Sequence, residues 1–263
     1  MTAYLVALRA IVERESLRFV HQRGRFMSAL VRPLLWLLVF AVGFRSALGL
    51  SIIPPYQTYI TYEVYIVPGL CAMVQLFNGM QSSLSLVYDR ETGSMRLLLT
   101  SPLPRWWLLS SKLLAGTAVS LLQVYAFLAI AAVAGITLPW EGYLLVLPAL
   151  VVTGMMLGAV GLALSSTIRQ LENFAGVMNF VIFPAFFLSS ALYPLWKMAE
   201  SSQLLYWLCS VNPFTHAVET IRFALYGQID AAALGWTLLS LALFMALALW
   251  GYDPARGLSG RRG

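Results

Sequence analysis

The residues best suited to chemistry in this chain lie in a short polar island between two long apolar runs, Tyr88 to Arg105. Asp89, Arg90, Glu91 and Arg96 carry charge, and Gly93 and Ser94 follow the first three after Thr92. A carboxylate beside a guanidinium can recognise a charged surface, and Gly93 allows a tight turn next to it. Met95, Leu98 and Leu99 then fall at helical spacing (i, i+3, i+4), while Pro102 and Pro104 stop a helix before Arg105. The pattern predicts an amphipathic helix at a membrane surface over residues 88–104, shaped to receive force from a soluble partner. An ordinary loop with interfacial leucines is the plainer alternative.

Catalytic chemistry finds no such support. The sequence has no Gly-x-x-x-x-Gly-Lys-Ser/Thr phosphate loop and no His-Glu-x-x-His pair. His21 and His216 are isolated, paired aspartates are missing, and Cys71 and Cys209 lack metal-ligand spacing. No cofactor is expected in this chain. A second polar set lies inside an apolar run: Glu63, Gln75, Asn78 and Gln81. Ionisable groups in a span are costly and usually face the bundle interior, although Glu63 is close enough to the outer surface to be solvated. Asn78 and Gln81 share a helix face and either line a path or bond a neighbouring helix, the second being the commoner use. Gly154 and Gly158, with Gly161 a turn on, suit close helix packing. Phe174, Phe180, Phe183, Phe186 and Phe187 form an aromatic group in a later run, as lipid-facing or core residues.

The elements that position these residues follow from composition. Of 263 residues 60% are hydrophobic and 11% charged, whereas soluble domains carry roughly 25% charged residues. The chain is therefore expected to be an all-α integral membrane protein of one domain, residues 1–263. Six runs are long enough for the ~20 residues that a ~30 Å hydrocarbon core requires. They lie near Ala29–Leu50, Tyr59–Val87, Trp106–Ala134, Tyr143–Ile168, Asn173–Tyr193 and Ala231–Trp250. With the N-terminus inside, all of the 17 Lys and Arg except Arg45, Lys197 and Arg222 fall on inside segments, so both termini are predicted to be cytoplasmic. Residues 1–28 extend their charges too far for a cleavable signal peptide and read as an amphipathic interfacial helix. Residues 194–228 are too polar for a span and too apolar for a free loop. They are predicted to form short helices that dip into the outer leaflet and return. The net charge of +6 suits anionic headgroups, which attract Lys and Arg by ~1 kcal/mol each. Membrane lipids are thus expected partners, and the charge calls for no nucleic acid.

Two motifs carry a resemblance. Arg90, Glu91, Gly93, Ser94, Leu97, Leu98, Ser101, Pro102, Leu103 and Lys112 match the loop after the second span of ABC-2 type permeases. The run Asn212-Pro213-Phe214-Thr215-His216-Ala217-Val218-Glu219-Thr220-Ile221-Arg222 resembles the segment before their last span. The motifs stand in the family's order, and the resemblance covers nearly the whole chain. It implies a permease subunit of an ATP-driven exporter in a bacterial inner (plasma) membrane. Its partners would be a second permease copy, as a homodimer, and two copies of a separate cytoplasmic ATPase, which would hold ATP and Mg. It implies ATPase coupling through Arg90, Glu91, Gly93, Ser94, Leu98, Ser101 and Pro102. A conduit bordered by the first, second and fifth spans would include Glu63, Asn78, Gln81, Phe180 and Phe183. The expected cargo is hydrophobic, amphiphilic or lipid-linked. The alternatives are a secondary transporter, which would need intramembrane acids or broken helices in repeated halves, and a membrane-embedded enzyme, which would need convergent ionisable groups. Neither pattern is evident.

Overall fold

The computed structural model describes residues 4, 6, 8–13, 30–39, 54–57, 60–91, 103–168 and 170–252. Every regular element among them is a helix: α1 (Leu30–Val39), α2 (Tyr62–Glu91), α3 (Arg105–Val133), α4 (Gly142–Thr167), α5 (Leu171–Phe187), α6 (Leu195–Ser201), α7 (Gln203–Val211), α8 (Pro213–Leu225) and α9 (Ala231–Gly251). Residues 8–13 are also helical.

Three helices, α3, α4 and α9, are long and apolar enough to cross a membrane. Their hydrophobic residues surround the whole helix instead of forming one stripe, as expected where one side meets lipid and the other meets protein. The 30-residue α2 is about 45 Å long at 1.5 Å per residue, yet it is more polar because Gln75, Asn78, Gln81 and several serines sit along it. The 17-residue α5 and the ten described residues of α1 are shorter apolar helices. The predicted boundaries of the third, fourth and sixth runs agree with α3, α4 and α9 to within two residues. The fifth ends early, at Phe187, just after Pro184. Most of the first run lies outside the described residues.

The centre of the bundle is α2, which packs most extensively on α4 and also meets α3, α5 and α8. Tyr65, Ile66, Leu70, Met73 and Met80 on α2 are fully buried. The α2–α4 approach is made by glycine: a β-carbon added to Gly79 would stand 2.7 Å from Cα of Gly158, and one on Gly161 would stand 2.9 Å from the Gly79 carbonyl oxygen. The Gly154–Gly158–Gly161 ladder thus brings two backbones together. The outer face of α4 carries α9. A smaller cluster at the Glu91 end joins Leu86 of α2, Leu109 and Leu113 of α3, Ala159 and Leu162 of α4, and Ala248 and Tyr252.

The segment predicted as short helices holds three, α6 to α8. Asn212 explains its geometry. Its Oδ1 accepts from the Phe214 amide at 3.0 Å, capping α8, and Pro213 occupies the first helical turn. Its Nδ2 donates to the carbonyls of Ala185 and Leu188 at 2.8 and 2.6 Å. Those carbonyls end α5 and would otherwise lack partners. One amide therefore fastens the end of α5 to the start of α8. Asp230 caps α9 in the same way, accepting from the amides of Ala232 and Ala233.

Candidate functional site

Two of the polar residues predicted in the second span, Gln75 and Asn78, are drawn by α2, α3 and α4 into a seam within the bundle. The Gln75 side chain donates to the Leu150 carbonyl at 2.7 Å and accepts from Thr153 Oγ1 at 2.8 Å. Asn78 donates to the Gly116 carbonyl of α3 at 2.8 Å. Thr117, Ser120 and Gln123 continue the seam along α3, all buried. Toward the Glu91 end, Lys112 is buried and its Nζ donates to Ser85 Oγ at 2.6 Å. Both residues lie about 10 Å, six or seven residues, from the ends of their helices at that side. The space left between these groups is small, about one water molecule by volume. Both amide atoms of Gln123 are buried with no protein partner. As it stands, the seam is a hydrogen-bonded joint with too little room for a path.

A second cluster occupies the Tyr62 end of α2. Arg222 of α8 is buried at 3% exposure. Its guanidinium pairs with Glu219 one turn earlier, donates to the Ser190 carbonyl at 2.9 Å and lies 4.2 Å from the centre of the Tyr65 ring. Tyr65 donates to the same Ser190 carbonyl and Tyr62 to Leu192, each at 2.9 Å. Tyr56, in the stretch before α2, packs edge-on against Tyr226 at 4.9 Å. Burial pushes its phenol up to about 12, with the Arg222 charge pulling the other way, so it stays neutral. A buried charge is tolerated only when paired and hydrogen-bonded. Here the ion pair, a carbonyl and an aromatic face together fix α2, α8 and the turn after α5 at one end.

The predicted site residues fall in several places. Glu63 is half-buried in the first turn of α2. Asn78 faces the seam, while Gln81 is half-buried on the same helix. Phe180 is 80% exposed on α5. Phe183 is partly exposed, stacks on Phe187 and meets Phe77 of α2 edge-on at 6.4 Å. Arg90 and Glu91 end α2 as a continuation of its helix instead of opening a new one, and Glu91 is exposed. Gly93, Ser94, Leu98, Ser101 and Pro102 lie outside the described residues, as does most of the predicted surface helix. In residues 1–28, Tyr4 packs edge-on against Trp107 at 5.4 Å and its backbone carbonyl accepts from the Trp107 indole at 3.2 Å, setting Tyr4 against the start of α3. Among the described residues, no three His, Cys, Asp or Glu side chains gather as a metal-holding group.

Sequence reading missed the Arg222 cluster and the Lys112–Ser85 joint as sites. Arg222 and Lys112 were present as motif positions, but Tyr65, Ser190 and Ser85, which complete their surroundings, stand on other parts of the chain.

A bundle with three helices long and apolar enough to span a membrane defines the class as a polytopic membrane protein. The chain belongs to the ABC-2 type transporter family, whose model matches residues 6–226. It is 29% identical over 252 residues to a protein of Porphyra purpurea named as a transport permease, ycf38, covering 92% of this chain and 84% of that one. It is also 32% identical over 169 residues to YbhR of Escherichia coli K12, named as a multidrug ABC transporter permease, covering 63% and 45% of the two chains. Nodulation protein J of Rhizobium leguminosarum is 26% identical over 122 residues, covering 46% and 42%. This protein is accordingly a multi-pass transporter permease.

Proposed function

We propose that this chain is the conduit-forming subunit of an ATP-driven exporter, acting as a homodimer with two copies of a separate cytoplasmic ATPase that holds ATP and Mg. The observation that carries this reading is the course of α2. One unbroken helix runs from the buried Arg222 cluster, past the Gln75–Asn78 seam, to the exposed Glu91. Force applied at the Glu91 end would be carried along about 45 Å of helix to the contacts at the far end. Through Lys112 with Ser85, and Gln75 with Thr153, it would carry α3 and α4 with it.

In this account six spans cross a bacterial inner membrane with both termini cytoplasmic, and α6 to α8 lie in the outer leaflet. Closure of the ATPase dimer pushes on residues 88–104, with Arg90 and Glu91 as polar contacts and Gly93, Ser94, Leu98, Ser101 and Pro102 shaping the segment. The spans then move as rigid bodies between inward- and outward-facing arrangements. The conduit runs between the two copies beside α1, α2 and α5, past Glu63, Gln81, Phe180 and Phe183, with Asn78 holding α2 to α3 behind it. Its cargo is hydrophobic, amphiphilic or lipid-linked. Family membership supports the assignment, and the exposed aromatic face of α5 supports the conduit.

Affinity purification of the full chain from native membranes tests this. A phosphate-loop ATPase should accompany it and hydrolyse ATP. Retention of transport by the purified chain alone, driven by an ion gradient, would contradict the proposal and favour a secondary transporter.

A further inference from the structure

Half-buried Arg32 differs in surroundings from the buried Arg222. It lies on α1 with its guanidinium carbon 3.9 Å from the centre of the Phe77 ring. Phe77 stands about 21 Å from the Glu91 end of α2, and Phe183, whose ring meets it, about 18 Å from the Leu171 end of α5, at 1.5 Å per residue. With those helix ends at the cytoplasmic surface, Arg32 is deep within a hydrocarbon core of ~30 Å. Arg222 has a carboxylate, a carbonyl and a ring around its charge. Among the described residues Arg32 has only the ring face: no carboxylate or hydrogen-bond acceptor contacts it. Such a charge is costly in a span and marks a functional position.

The surface beside it is open and apolar. Phe180, Phe183 and Phe187 of α5 and Leu35 of α1 are all exposed, Leu35 at 57%. A half-buried guanidinium with free donors, next to an uncovered aromatic and aliphatic face, complements a negative group carried on an apolar body. The guanidinium fork matches carboxylate or phosphate oxygens two at a time. We propose that Arg32, with Phe77 and Phe183, binds the carboxylate or phosphate group of an anionic amphiphile whose hydrocarbon lies along Phe180 and Phe187. This gives the cargo a chemical class and rests on reading the α1–α2–α5 face as the conduit wall. An anionic bilayer lipid has the same chemistry, so the test must separate the two sources.

The full chain is placed in phosphatidylcholine nanodiscs and titrated with radiolabelled dodecyl phosphate, with dodecyltrimethylammonium as the cationic control. Wild type should bind dodecyl phosphate saturably, and Arg32→Gln should weaken it by about tenfold or more, the loss expected for a charge-assisted hydrogen bond. Arg32→Lys should fall between them, and binding of the cation should follow neither change. Equal affinity in wild type and Arg32→Gln, or preference for the cation, would overturn the proposal. If Arg32→Gln does not fold, Phe183→Ala keeps the test alive: it must weaken dodecyl phosphate binding, and wild-type affinity in that variant would also overturn the site. Adding phosphatidylglycerol to the nanodiscs should leave the wild-type affinity unchanged. Its loss there would overturn the assignment to cargo in favour of a bilayer lipid. The assay uses no ATPase, so a failed copurification and a failed anion site are separate results.

Discussion

Single side chains hold this bundle at its ends. Arg222 and Glu219 act as a pair: the guanidinium is 3% and the carboxylate 17% exposed, so removing either strips the other of its counter-charge in a largely dry setting. Arg222→Met is expected to cost about 3–5 kcal/mol, read as a lowered thermal midpoint in detergent. Adding Glu219→Leu should recover part of that loss, so the double variant is more stable than Arg222→Met alone. Additive losses would mean the two side chains do not interact. Asn212→Ala removes the α8 cap and orphans two carbonyls of α5, for an expected loss of about 2–4 kcal/mol. A melting temperature equal to wild type would show that water replaces this amide without cost.

At the scale of helices, the α2–α4 contact depends on the absence of side chains. Gly158→Leu would put atoms into the space held by Gly79 and Leu113, where an added β-carbon already comes within 2.6 Å of a Leu113 methyl. Overpacking of this kind costs about 1–3 kcal/mol, or forces the helices apart. Gly235→Ala is the matched control, since nothing lies within 4 Å of the added carbon. Thermal melts of the two should diverge, and equal stability would remove the glycine ladder from the account. Gly154-x-x-x-Gly158 was legible in the sequence because small residues four apart have a direct geometric meaning. The end of α2 was less so. Asp89, Arg90 and Glu91 read as the start of a separate surface helix over residues 88–104, yet the α2 helix runs on through them to Glu91; Arg and Glu favour helix, and the first breaker in the sequence is Gly93. Glu91→Lys tests the consequence. The permease should insert and dimerise as before, while the copurifying ATPase is lost or no longer responds to cargo. Unchanged ATPase retention and stimulation would take Glu91 out of the contact.

Across the whole molecule, hydropathy made the apolar helices readable, because crossing a bilayer imposes length and apolarity on each one separately. It could not place Arg32 or Arg222, whose positions depend on Phe77 and Tyr65 of α2 and on Ser190 in the turn after α5. A charge count assigned Arg32 to the inside segments, whereas its contact with Phe77 sets it farther along the bundle. Nor could it show that Gln75, Asn78 and Lys112 meet in one seam, since that requires the register of three helices. The orientation can be checked by labelling single cysteines in sealed cells with a membrane-impermeant thiol reagent, after replacing Cys71 and Cys209. Positions Glu141 and Lys197 should react from outside and Tyr88 should not; the reverse pattern would invert the topology.

The central claim is that ATP moves α2 as a lever. Spin labels at Thr61, exposed just before α2, report the separation of the two copies at the end remote from Glu91. In the purified complex, that distance distribution should shift when ATP is trapped on the ATPase, and Glu91→Lys should abolish the shift. An identical distribution with and without trapped ATP, in a complex that still hydrolyses ATP and exports its cargo, would contradict the account.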